Sequence, residues 1–165
     1  MRITTPAAIA GLTILLGCQP GDRPASTGEH VTPYREGISH FAEQITGDLA
    51  REGLTAWLRH FQRSPAFFMA SGGRVVFPSN DSADAYVTGL ATTVRAVELH
   101  WQQLRIDSLT PDLALIGTPF TESLTDTAGH TQRIAGYFTA IAQRHGNDWQ
   151  LRDAHWSLTP GARSP

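Results

Sequence analysis

Apolar residues in the first third of the chain recur at helical spacing. Four of them follow one another at intervals of four, three and four positions, as one face of a helix requires: Tyr34, Ile38, Phe41 and Ile45. Gly47 and Asp48 interrupt this pattern, and Asp48 is a suitable cap for a second helix. That helix is predicted to end before Pro65 and to carry its own apolar stripe, formed by Leu54, Trp57, Leu58 and Phe61.

A short hairpin and a third helix follow. Two short apolar runs, residues 66–70 and 74–77, are joined by Gly72 and Gly73, which accept the positive φ angles of a tight turn. Five further residues then mark one side of a helix: Ala83, Tyr86, Val87, Leu90 and Val94.

After about residue 95 the apolar period changes from about 3.6 to 2, which is typical of strands. Val97, Leu99 and Trp101 alternate with polar residues, and this run ends at a turn around Pro111. Three more strand-like runs follow, over residues 113–124, 133–144 and 149–158. The pattern therefore predicts helices and a hairpin followed by four long antiparallel strands.

This order of elements resembles the nuclear transport factor 2 superfamily, and in particular its SnoaL-like and ketosteroid-isomerase-like branch. The resemblance covers residues 36–158 and rests on Gly47 and Asp48, on segment 67–73, and above all on segment 149–157 with its Trp-x-apolar-x-x-x-His-x-Ser pattern. It implies an α+β fold in the order α-α-β-β-α-β-β-β-β, in which a conical, curved antiparallel sheet wraps around three N-terminal helices. It also implies an apolar cavity, which in this family serves isomerases, dehydratases, cyclases and plain binding domains, so the fold alone does not decide the function.

The N-terminal segment resembles a bacterial lipoprotein signal peptide. Arg2 precedes an apolar run over residues 3–16, and Leu-Leu-Gly-Cys, ending at Cys18, resembles the lipobox. The resemblance implies thioether lipidation of Cys18 and cleavage after Gly17. A transmembrane helix is the alternative, but about 15 apolar residues reach only ~22 Å, short of a ~30 Å hydrocarbon core.

We therefore expect four segments along the chain. They are a signal peptide (1–17), a lipidated cysteine with a flexible tether (18–32), a SnoaL-like domain (33–160) and a disordered tail (161–165). The lipid anchor makes a membrane the first expected partner and places the protein in the bacterial cell envelope, on the periplasmic side. Gln19 is not the aspartate that retains such proteins at the inner membrane, which favours the outer membrane where the host has one.

The amino-acid composition argues against several classes of partner, catalysis and cofactor. All 13 basic residues are arginine and the formal net charge is −2, so nothing favours nucleic acid as a partner, and no lysine is present for Schiff-base chemistry or a phosphate loop. Cys18 is the only cysteine, and the seven histidines are scattered without the spacing of a ligand pair. We therefore expect no metal site and no cofactor.

The last predicted strand carries the candidate catalytic pair. By the two-residue period Asp153 and His155 share a face, about 7 Å apart along the strand, together with Trp149, Leu151 and Ser157. The functional interpretation is an acid–base or orienting pair in the wall of the cavity. The alternative is structural, with Asp153 bound to an arginine or tyrosine on the neighbouring strand and His155 a satisfied residue near the end of the sheet.

Five other residues are candidates for the lining of a ligand pocket: Trp57, Tyr86, Trp101, Tyr137 and Thr139. The first three are typical of an aromatic wall, and equally of a filled core. The last two share a face of the strand over residues 133–144, and the register of the hairpin at Gly146 decides whether that face is inward. We expect it to be inward, because polar strand residues need a cavity or solvent.

These observations support three hypotheses of function. The first is a membrane-anchored module whose cavity binds a small apolar or amphipathic molecule. The second is an enzyme of the isomerase or dehydratase type that uses Asp153 or His155 for proton transfer, although residues 64–68 lack the carboxylate that the family resemblance implies near the first hairpin. The third is an interaction domain that forms a homodimer through the outer face of the sheet. The first is favoured.

Overall fold

The first helix is longer than the sequence pattern predicts. In the computed structural model, which describes residues 32–160, α1 (Thr32–Glu52) runs through Gly47 without interruption. A glycine inside a helix costs about 1 kcal/mol, but Leu49 extends the apolar stripe and is fully buried, which stabilises by about 1.5–3 kcal/mol. The predicted break at Gly47 and Asp48 is therefore wrong. The helix ends at Glu52, and the next residue, Gly53, has a φ of 78°, which suits glycine.

The second helical segment is short. A 3₁₀ turn (Leu54–Ala56) leads into α2 (Trp57–His60), and the chain then enters the hairpin of β1 (Phe68–Ser71) and β2 (Arg74–Phe77). Gly72 and Gly73 form its turn with φ angles of 58° and 78°, as predicted. The third helix, α3 (Asn80–Ala91), begins at a capping box between Ser79 and Ser82.

The second half of the described chain holds five strands rather than four. They are β3 (Val94–Trp101), β4 (Arg105–Thr110), β5 (Leu113–Asp126), β6 (Thr131–His145) and β7 (Asp148–Leu158). The first predicted run is divided because residues 102–104 leave the sheet beside Pro119, whose carbonyl oxygen accepts from the Gln102 N–H at 3.0 Å. Both pieces, β3 and β4, pair with β5.

The strands form one curved, unclosed sheet. Its order is β2-β1-β7-β6-β5-β3, with β4 also on β5. Five of the six strand pairings are antiparallel, whereas β1 runs parallel to β7, so the sheet is mixed rather than purely antiparallel. The predicted α+β class is confirmed, with the helices on one face of the sheet.

The core lies between α1 and the inner face of the sheet. Its largest fully buried side chains come from α1, from the segment before β1, and from β3, β5 and β7: Ile38, Ile45, Leu49, Phe67, Val97, Thr118 and Leu151. The predicted signal peptide, Cys18 and residues 161–165 lie outside the described part of the chain. Within residues 32–160, no helix has the length and apolar character needed to cross a membrane.

A close approach between β6 and β7 leaves no room for a side chain at Gly136. An added Cβ would collide with the carbonyl oxygen of Ser157 and lie 3.1 Å from the Phe120 ring. We expect Gly136→Ala to reduce the free energy of unfolding by about 1–3 kcal/mol in urea denaturation.

The matched control is Gly89→Ala, on an exposed part of α3 where an added Cβ would meet nothing within 4 Å. Its stability should be unchanged or higher by up to about 1 kcal/mol. Equal effects of the two substitutions would contradict the close approach.

Candidate functional site

A cavity of about 220 Å³ lies beside α1, between the shorter helices, the hairpin and the inner face of the sheet. None of its lining residues comes from α1, and eight of the seventeen are aromatic, so its wall is largely apolar. Three are tryptophans from three different elements: Trp57, Trp101 and Trp156. A mostly apolar lining with few polar groups is a general feature of protein pockets for small molecules.

One charged side chain belongs to this lining. Alternation along β5 places Phe120, Glu122 and Leu124 on the same inward face. Glu122 lies opposite Leu99 on β3 and Ile134 on β6, both of which are apolar and also line the cavity. The carboxyl group is therefore surrounded by hydrocarbon on its own strand and on both neighbouring strands.

Glu122 makes no hydrogen bond or ion pair with any residue that the structure describes. Desolvation raises its pKa from 4.5 to about 7. Near neutral pH the group therefore exists in both protonation states, as a hydrogen-bond donor when protonated and as an anion when not.

Ring packing and one hydrogen bond hold the aromatic wall in place. The Trp101 Nε1–H donates to the carbonyl oxygen of Ala42 at 3.0 Å, and the Trp101 and Phe138 ring centroids are 5.3 Å apart. On the other side, the Phe77 ring packs against Tyr86 and Trp156. Tyr86 is 57% exposed, which places it where the cavity meets solvent.

The structure brings three of the sequence-predicted pocket residues together. Trp57, Tyr86 and Trp101 all lie in the lining of the cavity, contributed by α2, α3 and β3. The other four predicted residues are not among the lining residues: Tyr137, Thr139, Asp153 and His155.

A β-bulge in β7 turns Asp153 and His155 away from the cavity. Ile141 on β6 pairs with Asp153 on β7, and the next residue on β6, Ala142, pairs with Leu151. Arg152 therefore has no partner on β6 and is the extra residue of the bulge. Before the bulge Trp149 and Leu151 face inward, and after it the inward residues are Ala154, Trp156 and Leu158. The prediction that Asp153 and His155 share the inward face of Leu151 is therefore wrong.

On the outer face, the two proposed catalytic residues have ordinary surroundings. Asp153 accepts from the neighbouring Arg152 Nε at 2.8 Å, and His155 is exposed. They do not form an acid–base pair beside a cavity.

Tyr137 and Thr139 lie on the same outer face, contrary to the expectation from sequence. The hairpin between β6 and β7 has a two-residue turn, in which Gly146 has a φ of 63° and His145 pairs with Asp148. This register turns Phe138 and Ala140 inward and leaves Tyr137 43% exposed. Solvent, rather than a cavity, satisfies the polar face of the strand.

A second, polar cavity of about 530 Å³ contains a dense cluster of charges. Asp48 accepts from Arg59 Nε and from His60 Nε2, both at 3.0 Å, and also binds Arg51. Arg59 further binds both oxygens of Glu52, at 2.5 and 2.6 Å. The cluster ties the end of α1 to α2, which explains why Asp48 is not a helix cap.

The pKa shifts in this cluster follow from its pairing. Desolvation pushes the pKa of Asp48 upward, but the hydrogen bond and charge of Arg59, with His60 and Arg51, outweigh it and hold that pKa below its usual value. Desolvation lowers the pKa of His60, so its imidazole is neutral at neutral pH. Every charge in the cluster has a partner, which is typical of a structural network. Across the described residues, no three ligating side chains converge as a metal site would require.

An α+β domain whose curved sheet covers helices and leaves an apolar cavity is the architecture of the nuclear transport factor 2-like fold. Solved structures support this assignment. A nuclear transport factor 2-like superfamily protein from Salmonella enterica has a TM-score of 0.64 at 14% identity, with 81% of this chain and 97% of that chain covered. A candidate scytalone dehydratase from Novosphingobium aromaticivorans has a TM-score of 0.65 at 12% identity, with 76% and 83% covered.

A candidate dehydratase of the same fold from Streptomyces avermitilis has a TM-score of 0.64 at 13% identity, with 78% of this chain and 98% of that chain covered. No protein-family model matches the sequence, and no curated protein matches it. The fold is therefore nuclear transport factor 2-like, as the sequence resemblance implies.

Sequence reasoning missed Glu122, although the signal is present. The inward positions of β5 alternate as Ala114, Ile116, Thr118, Phe120, Glu122 and Leu124. A single acid among these positions would be placed on the apolar face by the two-residue period alone.

The raised pKa of Glu122 makes stability depend on pH in a direction that can be tested. Between pH 4.5 and about 7 the folded chain holds a proton on Glu122 that the unfolded chain has lost, so stability falls as pH rises through this window. Glu122→Gln removes this penalty. We expect its free energy of unfolding, relative to the wild type, to rise by up to about 3 kcal/mol between pH 4.5 and pH 8.

Urea denaturation at a series of pH values measures this difference. Glu98→Gln, on the exposed side of β3, is the matched control and should differ from the wild type by a nearly constant amount. A flat difference for Glu122→Gln as well would mean that the carboxyl group is hydrated in the folded protein.

Proposed function

We propose that the cavity binds a small, predominantly apolar molecule and that the one polar group of this molecule contacts Glu122. The observation that carries the proposal is the isolated carboxyl group in an aromatic wall. Glu122 is half-buried and lines the cavity, so a ligand that fills the cavity would exclude water from its carboxyl group. Such a ligand must supply the hydrogen-bond partner itself, because a buried polar group without one costs about 1–3 kcal/mol.

The size of the cavity limits the ligand. Sites for drug-sized molecules have volumes of about 300–1,000 Å³. At about 220 Å³ this cavity suits a molecule of one or two rings. Tyr86, partly exposed at the solvent side, lies where such a molecule would enter.

Proton transfer is a second candidate function for the same site. A carboxyl group with a pKa near 7 can both donate and accept a proton at neutral pH, which suits general acid–base chemistry. Two of the structural neighbours are described as candidate dehydratases. In this reading Glu122 takes the role that the sequence suggested for Asp153 or His155.

The lipid anchor adds a location to the proposal. Lipidation at Cys18 would hold the domain at the surface of a membrane of the bacterial cell envelope, with the cavity free to collect or deliver apolar molecules. Dimer formation through the outer sheet face, where Tyr137 and Phe68 are exposed, stays a prediction.

Thermal unfolding with a set of neutral one- and two-ring fragments tests the binding function. The full chain carries Cys18→Ser in every sample, so that no attached lipid competes for the cavity. A fragment at one hundred times its Kd should stabilise the chain by ~2.7 kcal/mol, which raises Tm by several degrees. Leu90→Trp, which fills the cavity from α3, should abolish the shift.

Leu109→Trp is the control for the added indole, because Leu109 is 55% exposed on β4 and outside the lining. It should respond to fragments as the wild type does. If no fragment raises Tm, or if Leu90→Trp responds equally, the binding proposal fails. If the wild type converts a bound fragment into a product and Glu122→Gln does not, the result favours the proton-transfer function.

Fatty-acid labelling in a bacterial host tests the anchor. The wild-type chain should incorporate the label and sediment with membranes, whereas Cys18→Ser should do neither. Adding Ser26→Cys to that variant restores a thiol at a position without the lipobox and should not restore the label. Label in either variant would contradict lipidation at Cys18.

A further inference from the structure

The lining of the cavity has one acidic side chain and no basic one. Among the lining residues Glu122 is the only charged group, and Tyr86 is the only other group that titrates. The chain has no lysine, and none of the arginines within residues 32–160 lies in the lining. Among the described residues that line the cavity, an ionised Glu122 therefore has no cationic partner.

We propose that the ligand of this cavity carries a cationic nitrogen, an ammonium group, which pairs with Glu122 and is surrounded by the aromatic rings. This inference rests on the proposed binding function and specifies its ligand class. A carboxylate left unpaired in an apolar site is costly, whereas a ligand cation supplies the missing charge and keeps the carboxylate ionised.

The aromatic wall suits the same chemistry. The faces of tryptophan rings attract ammonium groups, and this attraction is strongest where water is excluded. Trp101 pairs with Phe120 and Leu99 pairs with Glu122, so Trp101 and Glu122 are diagonal neighbours on one face, about 7–8 Å apart. A nitrogen between them contacts both the carboxylate and the indole ring.

Trp101 is also fixed before any ligand arrives. Its N–H is already bonded to the carbonyl oxygen of Ala42, so the indole offers its ring rather than a hydrogen-bond donor. A cation benefits from the ring, whereas a carbonyl or carboxylate ligand gains no donor from Trp101. An anionic ligand would in addition be repelled by Glu122.

The pH dependence of binding distinguishes a cation from a neutral ligand. A neutral hydrogen-bond acceptor needs the protonated form of Glu122 and should bind better at low pH, whereas an ammonium ligand needs the ionised form. The groups that face Glu122 from its own and the neighbouring strands are Phe120, Leu124, Leu99 and Ile134, none of which titrates. Within the lining, a change between pH 5.5 and pH 8 therefore reports on Glu122.

The experiment compares benzyltrimethylammonium with its neutral isostere neopentylbenzene. The two have the same shape, and the quaternary nitrogen keeps its charge at every pH. Calorimetric titration of the full chain carrying Cys18→Ser should give at least about tenfold tighter binding of the cation at pH 8. At pH 5.5 the cation should bind about tenfold or more weakly than at pH 8, because most of Glu122 is protonated.

Glu122→Gln should remove both the preference for the cation and its pH dependence, and Glu98→Gln should keep both. Equal binding of the two probes, or a preference that survives in Glu122→Gln, would overturn the inference. If neopentylbenzene binds and the cation does not, the cavity is a binding site for neutral molecules and only the ammonium inference fails. If neither binds, while no neutral fragment raises Tm, the proposed function fails with it.

Discussion

The packing of α1 against the inner face of the curved sheet is the interaction on which the rest of the structure depends. Ile38, Ile45 and Leu49 are fully buried there, and they hold the long strands in a bent arrangement over the helix. Because α1 covers only part of the inner face, the remaining part lies against the short α2 and α3, with the hairpin at the edge of the sheet beside them. These elements contribute bulky aromatic side chains that meet imperfectly, and the space between them is the cavity.

Two acids in this protein show how the surroundings decide the role of a carboxyl group. Asp48 is surrounded by Arg51, Arg59 and His60, which lower its pKa and use its hydrogen-bonding capacity, so it joins two helices. Glu122 faces hydrocarbon, and desolvation raises its pKa. A paired carboxylate has little hydrogen-bonding capacity left for a ligand. An unpaired one is stabilised by a ligand that supplies a hydrogen-bond donor or a cation.

Much of the fold could be predicted from residue patterns, because helices and strands bury their apolar faces with different periods. The hairpin at Gly72 and Gly73 and the third helix come directly from such local signals. The break predicted at Gly47 was wrong because burial of Leu49 outweighs a weak local preference. For the site, the size and spacing of Trp57 and Trp101 predict a place in the pocket lining. The pattern around Glu122 was interpreted only as a strand, so this residue was not predicted.

By itself, the sequence determined the fold class, the order of the main elements and the aromatic character of the inner face. Only the tertiary structure decided which residues of β6 and β7 face the cavity. One extra residue in a strand turns every later side chain to the opposite face of the sheet. The bulge at Arg152 cannot be predicted from the alternation of apolar and polar residues in β7, because it depends on how β7 pairs with β6. The isolation of Glu122 likewise depends on residues distant in sequence, because a carboxyl group is unpaired only when no strand or helix packed around it brings a cation.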